Sequence, residues 1–145
     1  MKVFLVGDLI LDEPNPDLLF DDVRGILKTA DVLVGQVEVP HTNRGKDSHF
    51  DIPAPPAKIE HLDAIKNAGF HGITLAGNHF FDAGNDGVED TINKLHSLNI
   101  KTSGAGSANS WYFRKGRYKN WLFELKLCRT KKIVVKRKKS RCGIC

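Results

Sequence analysis

The chain has 145 residues, of which 41% are hydrophobic, and this predicts one globular domain rather than a disordered segment. The first apolar run, residues 3–6, is too short for a signal peptide or a membrane helix, and no later stretch is long enough. The sequence therefore predicts a cytoplasmic protein. The net charge is unevenly divided along the chain. Residues 1–108 contain nine Lys and Arg and sixteen Asp and Glu, which gives a net charge of −7. Residues 109–145 contain thirteen Lys and Arg and one acidic residue, which gives +12.

The first strand and helix are indicated by an apolar run and a capping signal. Residues 2–6 are closed by Gly7-Asp8, which is typical of a buried parallel strand that ends in a loop. Asn15-Pro16 predicts a helix start, with Asn at the N-cap and Pro at the first helical position. Apolar residues then follow the spacing of an amphipathic helix to about Thr29; they are Leu18, Leu19, Val23, Ile26 and Leu27.

The alternation of strands and helices continues to residue 103. A second strand at 31–35 is followed by a polar, Pro-rich loop at 41–57, in which we expect His41 and His49 to be exposed to solvent. The remaining elements are a helix at 57–68 that ends at Gly69, a strand at 72–76, a helix at 86–98 and a strand at 100–103. The order βαβαβαβ predicts an α/β fold with a parallel sheet covered by helices.

Three of the predicted strands end in residues that suit metal binding. Asp8 follows the first strand, Gln36 and Glu38 follow the second, and Asn78 and His79 follow the third. Because open α/β sheets bind ligands beyond the carboxyl ends of their strands, we expect these side chains to converge. Carboxylate, amide and imidazole groups are suitable ligands for divalent ions. The alternative is that each of these residues only caps a helix or closes a turn. Because residues of this type follow all three strands, a common binding site is favoured.

Short motifs in the same order resemble the CapA family of capsule and poly-γ-glutamate synthesis proteins. Residues 7–11 (GDLIL) resemble its opening Gly-Asp motif, and residues 30–40 (ADVLVGQVEVP) resemble its second. Residues 75–84 (LAGNHFFDAG) are similar to its third, an Asn-His followed by Asp-x-Gly, and residues 104–106 (GAG) match its glycine turn. This family resembles calcineurin-like metallophosphoesterases, so the resemblance implies that residues 1–108 form the amino-terminal half of an α/β sandwich.

The resemblance also implies a role for individual residues. Asp8 and Asn78 would be metal ligands, and Glu38 would occupy the bridging-ligand or substrate-carboxylate position. His79 would contact the scissile phosphoryl group as a general acid or charge stabiliser. The implied cofactor is a divalent metal ion, with Mn, Fe and Zn as candidates, and the implied chemistry is metal-assisted hydrolysis or transfer.

Two further residues are expected to support this site. Asp82 is expected to orient His79 or the loop backbone, because carboxylates behind a site commonly fix a histidine's tautomer. Gln36 stands where the family usually has Asn. Its extra methylene displaces the amide oxygen, so we place Gln36 behind the metal ligands.

The sequence after residue 108 departs from the resemblance. The family's second half should supply further histidines, but residues 109–145 contain none. One interpretation is a frameshifted or truncated product; the other is a basic module that binds an anionic polymer or nucleic acid, with the α/β part as scaffold. The sudden excess of Lys and Arg where the resemblance fails favours the first. Residues 111–127 nevertheless predict a β-hairpin, because aromatic and polar residues partly alternate.

The sequence therefore predicts a truncated CapA-like protein with part of a metal-dependent phosphoesterase-type site. The expected partner is an anionic polymer or a phosphoester-type substrate, whereas nucleic acid is disfavoured because no nucleic-acid-binding motif is present. Such a chain is expected to be weakly active or inactive as an enzyme. Half of a two-sheet sandwich also leaves an apolar sheet face uncovered, which predicts a tendency to self-associate.

Overall fold

Four parallel strands form the sheet at the centre of the fold. The computed structural model describes residues 1–44 and 56–105 and, beyond them, the backbone of three further strands. The strands lie side by side in the order in which they occur in the chain, and each neighbouring pair is parallel. The α/β fold predicted from the sequence is confirmed. The strands are β1 (Val3–Leu9), β2 (Val32–Val37), β3 (Gly72–Thr74) and β4 (Lys101–Ser103).

Helical segments connect successive strands of this sheet. Gly69 ends the second of them with φ at 93°, a left-handed conformation that glycine adopts without a steric penalty. Within the described ranges, each helix is too short or too polar to cross a membrane. The helices are α1 (Arg24–Leu27), α2 (Asp63–Ala68) and α3 (Gly84–Ser97), and 3-10 segments precede the first two at Pro16–Phe20 and Ile59–Leu62.

The hydrophobic core lies between the sheet and the helices. Leu33 of β2 and Ile73 of β3 are fully buried and pack in one cluster with Ile65 of α2 and Leu95 of α3. Phe4 of β1, the register partner of Leu33, packs against the same cluster. Each such side chain stabilises the fold by about 1.5–3 kcal/mol when it is fully removed from water.

Two strands extend further than the sequence predicts. β1 does not stop before Gly7-Asp8 but continues to Leu9, after an irregularity in its pairing between Leu5 and Asp8. β2 likewise includes Gln36 and ends at Val37. A Gly-Asp pair usually signals a turn, but an irregularity in the ladder accommodates it within a strand. Asp8 therefore lies in β1 itself rather than in the following loop.

The first helical segment, residues 16–27, differs from the continuous amphipathic helix that the spacing predicts. It consists of a 3-10 segment and a single α-helical turn. Phe20 and Leu27 are buried in the core. The other large apolar side chains of the segment are exposed: Leu18 by 63%, Leu19 by 49%, Val23 by 43% and Ile26 by 60%. One apolar side of this segment therefore faces solvent.

The three remaining strands form a second, antiparallel sheet, in which they also lie in chain order. Two of these strands lie within residues 111–127, where a hairpin was expected, and Trp111 is the register partner of Phe123 and Phe113 that of Trp121. The third strand was not predicted. The strands are β5 (Trp111–Arg114), β6 (Asn120–Glu124) and β7 (Val134–Arg137).

Candidate functional site

The carboxyl ends of three neighbouring strands bring candidate residues to one edge of the sheet. Asp8 of β1 is the register partner of Gln36 in β2, and Gln36 is the partner of Thr74 in β3. Neighbouring strands lie about 4.8 Å apart, so these residues form one row across the sheet. The backbones of Asp8 and Gln36 therefore lie side by side, as the sequence predicts for these two positions.

The loop that follows β3 returns to the end of β2. A Cβ atom placed on Gly77 would lie 3.2 Å from the backbone oxygen of Glu38 and 3.4 Å from Nε2 of Gln36. A side chain at this position would press on both groups, so glycine permits the close approach. This approach places the segment that begins with Asn78 beside the segment that carries Gln36 and Glu38.

His79 and Asp82 form a hydrogen-bonded pair in the turn before α3. Nδ1 of His79 lies 2.7 Å from Oδ2 of Asp82, and the two side chains are only 20% and 13% exposed. The backbone N–H of Asp82 also donates to the carbonyl oxygen of His79, which folds the turn so that the side chains meet. Because a carboxylate can only accept, this pairing assigns the Nδ1 proton to His79. Nε2 then carries a lone pair in the neutral ring and donates in the protonated ring.

The predicted metal ligands differ in exposure. Asp8 and Asn78 are exposed, whereas Glu38 is partly buried. Within residues 1–44 and 56–105, no three His, Cys, Asp or Glu side chains are grouped as a metal-binding cluster. The donors offered are two carboxylates and one amide oxygen, which suit a hard divalent cation chemically. The assignment of these three residues as ligands stays a prediction.

Helix α3 holds the segment that follows β2 by buried hydrogen bonds. The backbone N–H of His41 donates to Oγ1 of Thr91 at 2.7 Å. The Thr91 hydroxyl lies 2.7 Å from the carbonyl oxygen of Gly87 and 3.2 Å from that of His41, and it donates to these acceptors. Because α3 begins directly after the His79–Asp82 turn, it connects that turn with the chain just beyond Glu38.

A charged contact at the surface extends the attachment to α3. Arg44 donates to both carboxylate oxygens of Asp90, from Nη2 at 2.6 Å and from Nε at 3.1 Å. The Thr42 hydroxyl donates to the same carboxylate. These hydrogen bonds, that of Arg44 foremost, hold the pKa of Asp90 below its ordinary value. Residues 42–44 are thus tied to the helix on which Thr91 lies.

His41 is buried, and its predicted exposure was wrong. The residue is 0% exposed, and its Nδ1 lies 3.1 Å from the carbonyl oxygen of Val39. Among the described residues, no group forms a hydrogen bond with its Nε2. Burial, with a smaller contribution from the nearby charge of His61, lowers the pKa of His41 to about 4, although the hydrogen bond with Val39 acts in the opposite direction. His49 lies outside the described residues.

Sequence reasoning also missed Thr91. The helical spacing could have revealed it, because Thr91 lies on the inner side of an amphipathic helix, one turn before Leu95. Both side chains are 0% exposed. A buried hydroxyl in such a position must find acceptors and donors, and here it finds them in the helix itself and in the segment after β2. The missed residue is therefore a structural link between the two parts of the site.

Comparison with known proteins decides the family. The model of the family described as "Bacterial capsule synthesis protein PGA_cap" matches residues 2–115. The chain belongs to this family. The resemblance to the CapA family predicted from the motifs is thereby confirmed, and the match covers the whole parallel sheet together with the candidate site.

Two curated relatives carry related names. The "Capsule biosynthesis protein CapA" of Bacillus anthracis is 30% identical over 122 residues, which cover 73% of this chain and 28% of the relative. The "PGA biosynthesis protein CapA" of Bacillus subtilis (strain 168) is 27% identical over 116 residues, which cover 73% of this chain and 30% of the relative. The chain thus spans less than a third of the length of these two relatives.

Proposed function

We propose that this chain takes part in capsule or poly-γ-glutamate biosynthesis through a metal-dependent, phosphoesterase-type site at the carboxyl ends of β1, β2 and β3. The observation that carries the proposal is the approach of three separate chain segments at this edge of the sheet. Asp8 is paired with Gln36, and Gly77 packs against the end of β2. Membership of a capsule synthesis family supports the biosynthetic context.

In this proposal, oxygen atoms of Asp8, Glu38 and Asn78 would hold the divalent cation, with Mn, Fe and Zn as candidates. When bound, such a cation acts as a Lewis acid and lowers the pKa of its water ligand. Gln36 has its amide beside Gly77 and would support the loop rather than bind the cation. The donors come from three strand ends, so the cation would bind only after the sheet has formed.

His79 would act on the substrate's phosphoryl group as a general acid or charge stabiliser. The bond to Asp82 limits rotation of the ring and keeps the proton on Nδ1. The protonated ring would then donate from Nε2 to a phosphoryl or leaving-group oxygen. The substrate class that fits these roles is a phosphoester, or its chemical equivalent, formed during assembly of an anionic polymer.

A second candidate function is binding of an anionic polymer by the basic residues 109–145. Its support is their +12 charge together with the ordered antiparallel pairing of β5, β6 and β7. Electrostatic binding to a polyanion weakens steeply as salt increases. This function would be supported if the chain binds polyglutamate at low salt and loses this binding when Lys136, Lys138 and Lys139 are changed to Gln. Undiminished binding of polyglutamate by the variant would reject it.

The metal site can be tested by calorimetric titration of the full chain with Mn²⁺. Asn78→Ala removes one proposed ligand, so we expect the affinity to fall by at least about tenfold. Asn93→Ala is the matched control, because Asn93 is an exposed residue on the outer side of α3. Equal affinity of the wild type and the Asn78→Ala variant would reject the assignment of Asn78, and absence of binding by the wild type would reject the metal site.

A further inference from the structure

The first helical segment has an apolar surface that the candidate site does not use. Phe20 and Leu27 already fill its inner side against the core. The outer side has four large apolar side chains that are between 43% and 63% exposed: Leu18, Leu19, Val23 and Ile26. Scattered apolar residues are common on surfaces, but four within nine consecutive positions form a patch of the kind that binds a partner.

The sequence around these four side chains is rich in acidic residues. From residue 3 to residue 23 the chain has six Asp and Glu and no Lys or Arg. Within the described ranges, the ion pairs of this stretch join Arg24 to Asp17 at 3.3 Å and to Asp21 at 3.1 Å. Asp12 and Asp22 are exposed. We call residues 12–26 the acidic apolar surface. Its charge would attract a basic partner and repel an acidic one over distances of about 10 Å.

The chain itself contains a segment of complementary character. Residues 109–145 have thirteen Lys and Arg, one acidic residue, and strands with aromatic residues such as Trp111 and Trp121. Their charge of +12 opposes the charge of −7 on residues 1–108. In the part of the chain that the structure describes, the four apolar side chains are exposed. The basic segment of another copy has the charge and the aromatic residues to cover them.

We propose that the acidic apolar surface binds the basic segment 109–145 of a second copy of this chain. A reciprocal exchange gives a two-fold dimer with two identical interfaces. Electrostatic attraction draws the copies together, and burial of the four apolar side chains stabilises the contact. The association is independent of the proposed metal site, because its residues lie outside the row that contains Asp8 and Gln36.

Sedimentation of the full chain at about 50 mM and about 500 mM salt tests this association, because the screening length shortens severalfold between them. We expect a dimer at low salt and a monomer at high salt. The variant Leu18→Ser/Ile26→Ser and the variant Asp12→Asn/Asp22→Asn should each weaken the dimer by about tenfold or more. Exposed positions make both changes compatible with folding, which thermal unfolding will verify.

The matched control for charge is Asp86→Asn/Glu89→Gln, which removes two exposed acids from α3 and should leave the dimer unchanged. A wild type that is monomeric at both salt concentrations would overturn the proposal. Equal weakening by the surface variants and the control would also overturn it, since only total charge would then matter.

A mixing experiment distinguishes exchange between copies from contact within one copy. The variant Lys136→Gln/Lys138→Gln/Lys139→Gln weakens the basic segment, whereas Leu18→Ser/Ile26→Ser weakens the surface. Each variant alone should be monomeric at a concentration at which their mixture forms a heterodimer through the one intact interface. A mixture that stays monomeric where the wild type is dimeric would reject exchange between copies.

Discussion

Helix α3 and the first helical segment, residues 16–27, both have amphipathic sequences but use their apolar residues in opposite ways. α3 buries Leu95 in the core and uses buried Thr91 to hold the segment after β2. The first segment buries Phe20 and Leu27 but leaves four large apolar side chains exposed. Helical periodicity therefore indicates that an apolar side exists, but it does not establish that the protein's own core covers that side.

This difference separates two regions by their roles. α3 begins directly after the His79–Asp82 pair and also binds the chain beyond Glu38, so it fixes two parts of the candidate site relative to each other. The first segment contributes less to the core and presents an acidic apolar surface. We interpret the α3 region as the rigid support of the site and the first segment as a surface for association.

The largest expected contrast is between two leucines changed to alanine. Leu95→Ala in α3 should lower the free energy of unfolding by about 3 kcal/mol, because it leaves a cavity in the core. Leu18→Ala, at a 63% exposed position, should change it by less than about 0.5 kcal/mol. Urea unfolding at high salt, where the chain is monomeric, measures both values. A similar loss of unfolding free energy in the two variants would contradict the distinction between a buried apolar side of α3 and an exposed apolar side of the first segment.

The next effect is acid sensitivity of the segment that α3 holds. The pKa of His41 is lowered from 6.5 in the unfolded chain to about 4 in the fold, so the unfolded chain binds this proton more readily. Its contribution to stability is complete above pH 6.5 and is lost as the pH falls towards 4. At about pH 5 the loss should be about 2 kcal/mol.

The variant His41→Leu isolates this contribution. It removes the titrating ring from a position with no exposure, so its unfolding free energy should change less between about pH 7 and pH 5 than that of the wild type. Urea unfolding at the two pH values measures the difference. Parallel pH dependence in the two proteins would assign the acid sensitivity to other groups.

A smaller effect is expected for the hydroxyl that joins α3 to this segment. Thr91→Val keeps the side-chain shape but leaves the buried N–H of His41 without its acceptor, at a cost of about 1–2 kcal/mol. Thr91→Ser keeps the hydroxyl and should recover most of that hydrogen-bond term. The control is Thr29→Val, because Thr29 has an exposed hydroxyl that donates to Ile26 near the end of α1. If Thr91→Val and Thr29→Val lower the free energy of unfolding by the same amount, the hydroxyl of Thr91 contributes no more to stability than an exposed one.

The fold could be predicted largely because its signals are local. Apolar runs followed by amphipathic helices specify the alternation that yields a parallel sheet. The extension of β1 beyond Gly7-Asp8 could not be predicted in this way, because it depends on an irregularity in the pairing with β2. The backbone of buried His41 likewise donates to Thr91, a residue 50 positions away in the sequence. Local composition contains no information about that contact.

The candidate site could be predicted at the level of residue types. Asp82 was expected to orient His79 or the loop backbone, and the structure places its carboxylate in a hydrogen bond with His79. Their catalytic role stays a prediction. Whether Asp8, Glu38 and Asn78 meet at one point depends on side-chain directions and on the loop after β3, which strand-end positions alone do not specify.

The metal site at the strand ends is tested most directly by the loss of amide proton NMR signals when the full chain is titrated with paramagnetic Mn²⁺. We expect the signals of Asp8, Glu38 and Asn78 to disappear first, at substoichiometric Mn²⁺. The signal of Asp31, an acidic residue at the opposite end of the sheet beside Lys2, should persist. Loss of the Asp21 and Asp22 signals before those of the strand ends, or no selective loss at all, would contradict a metal site at the ends of β1, β2 and β3.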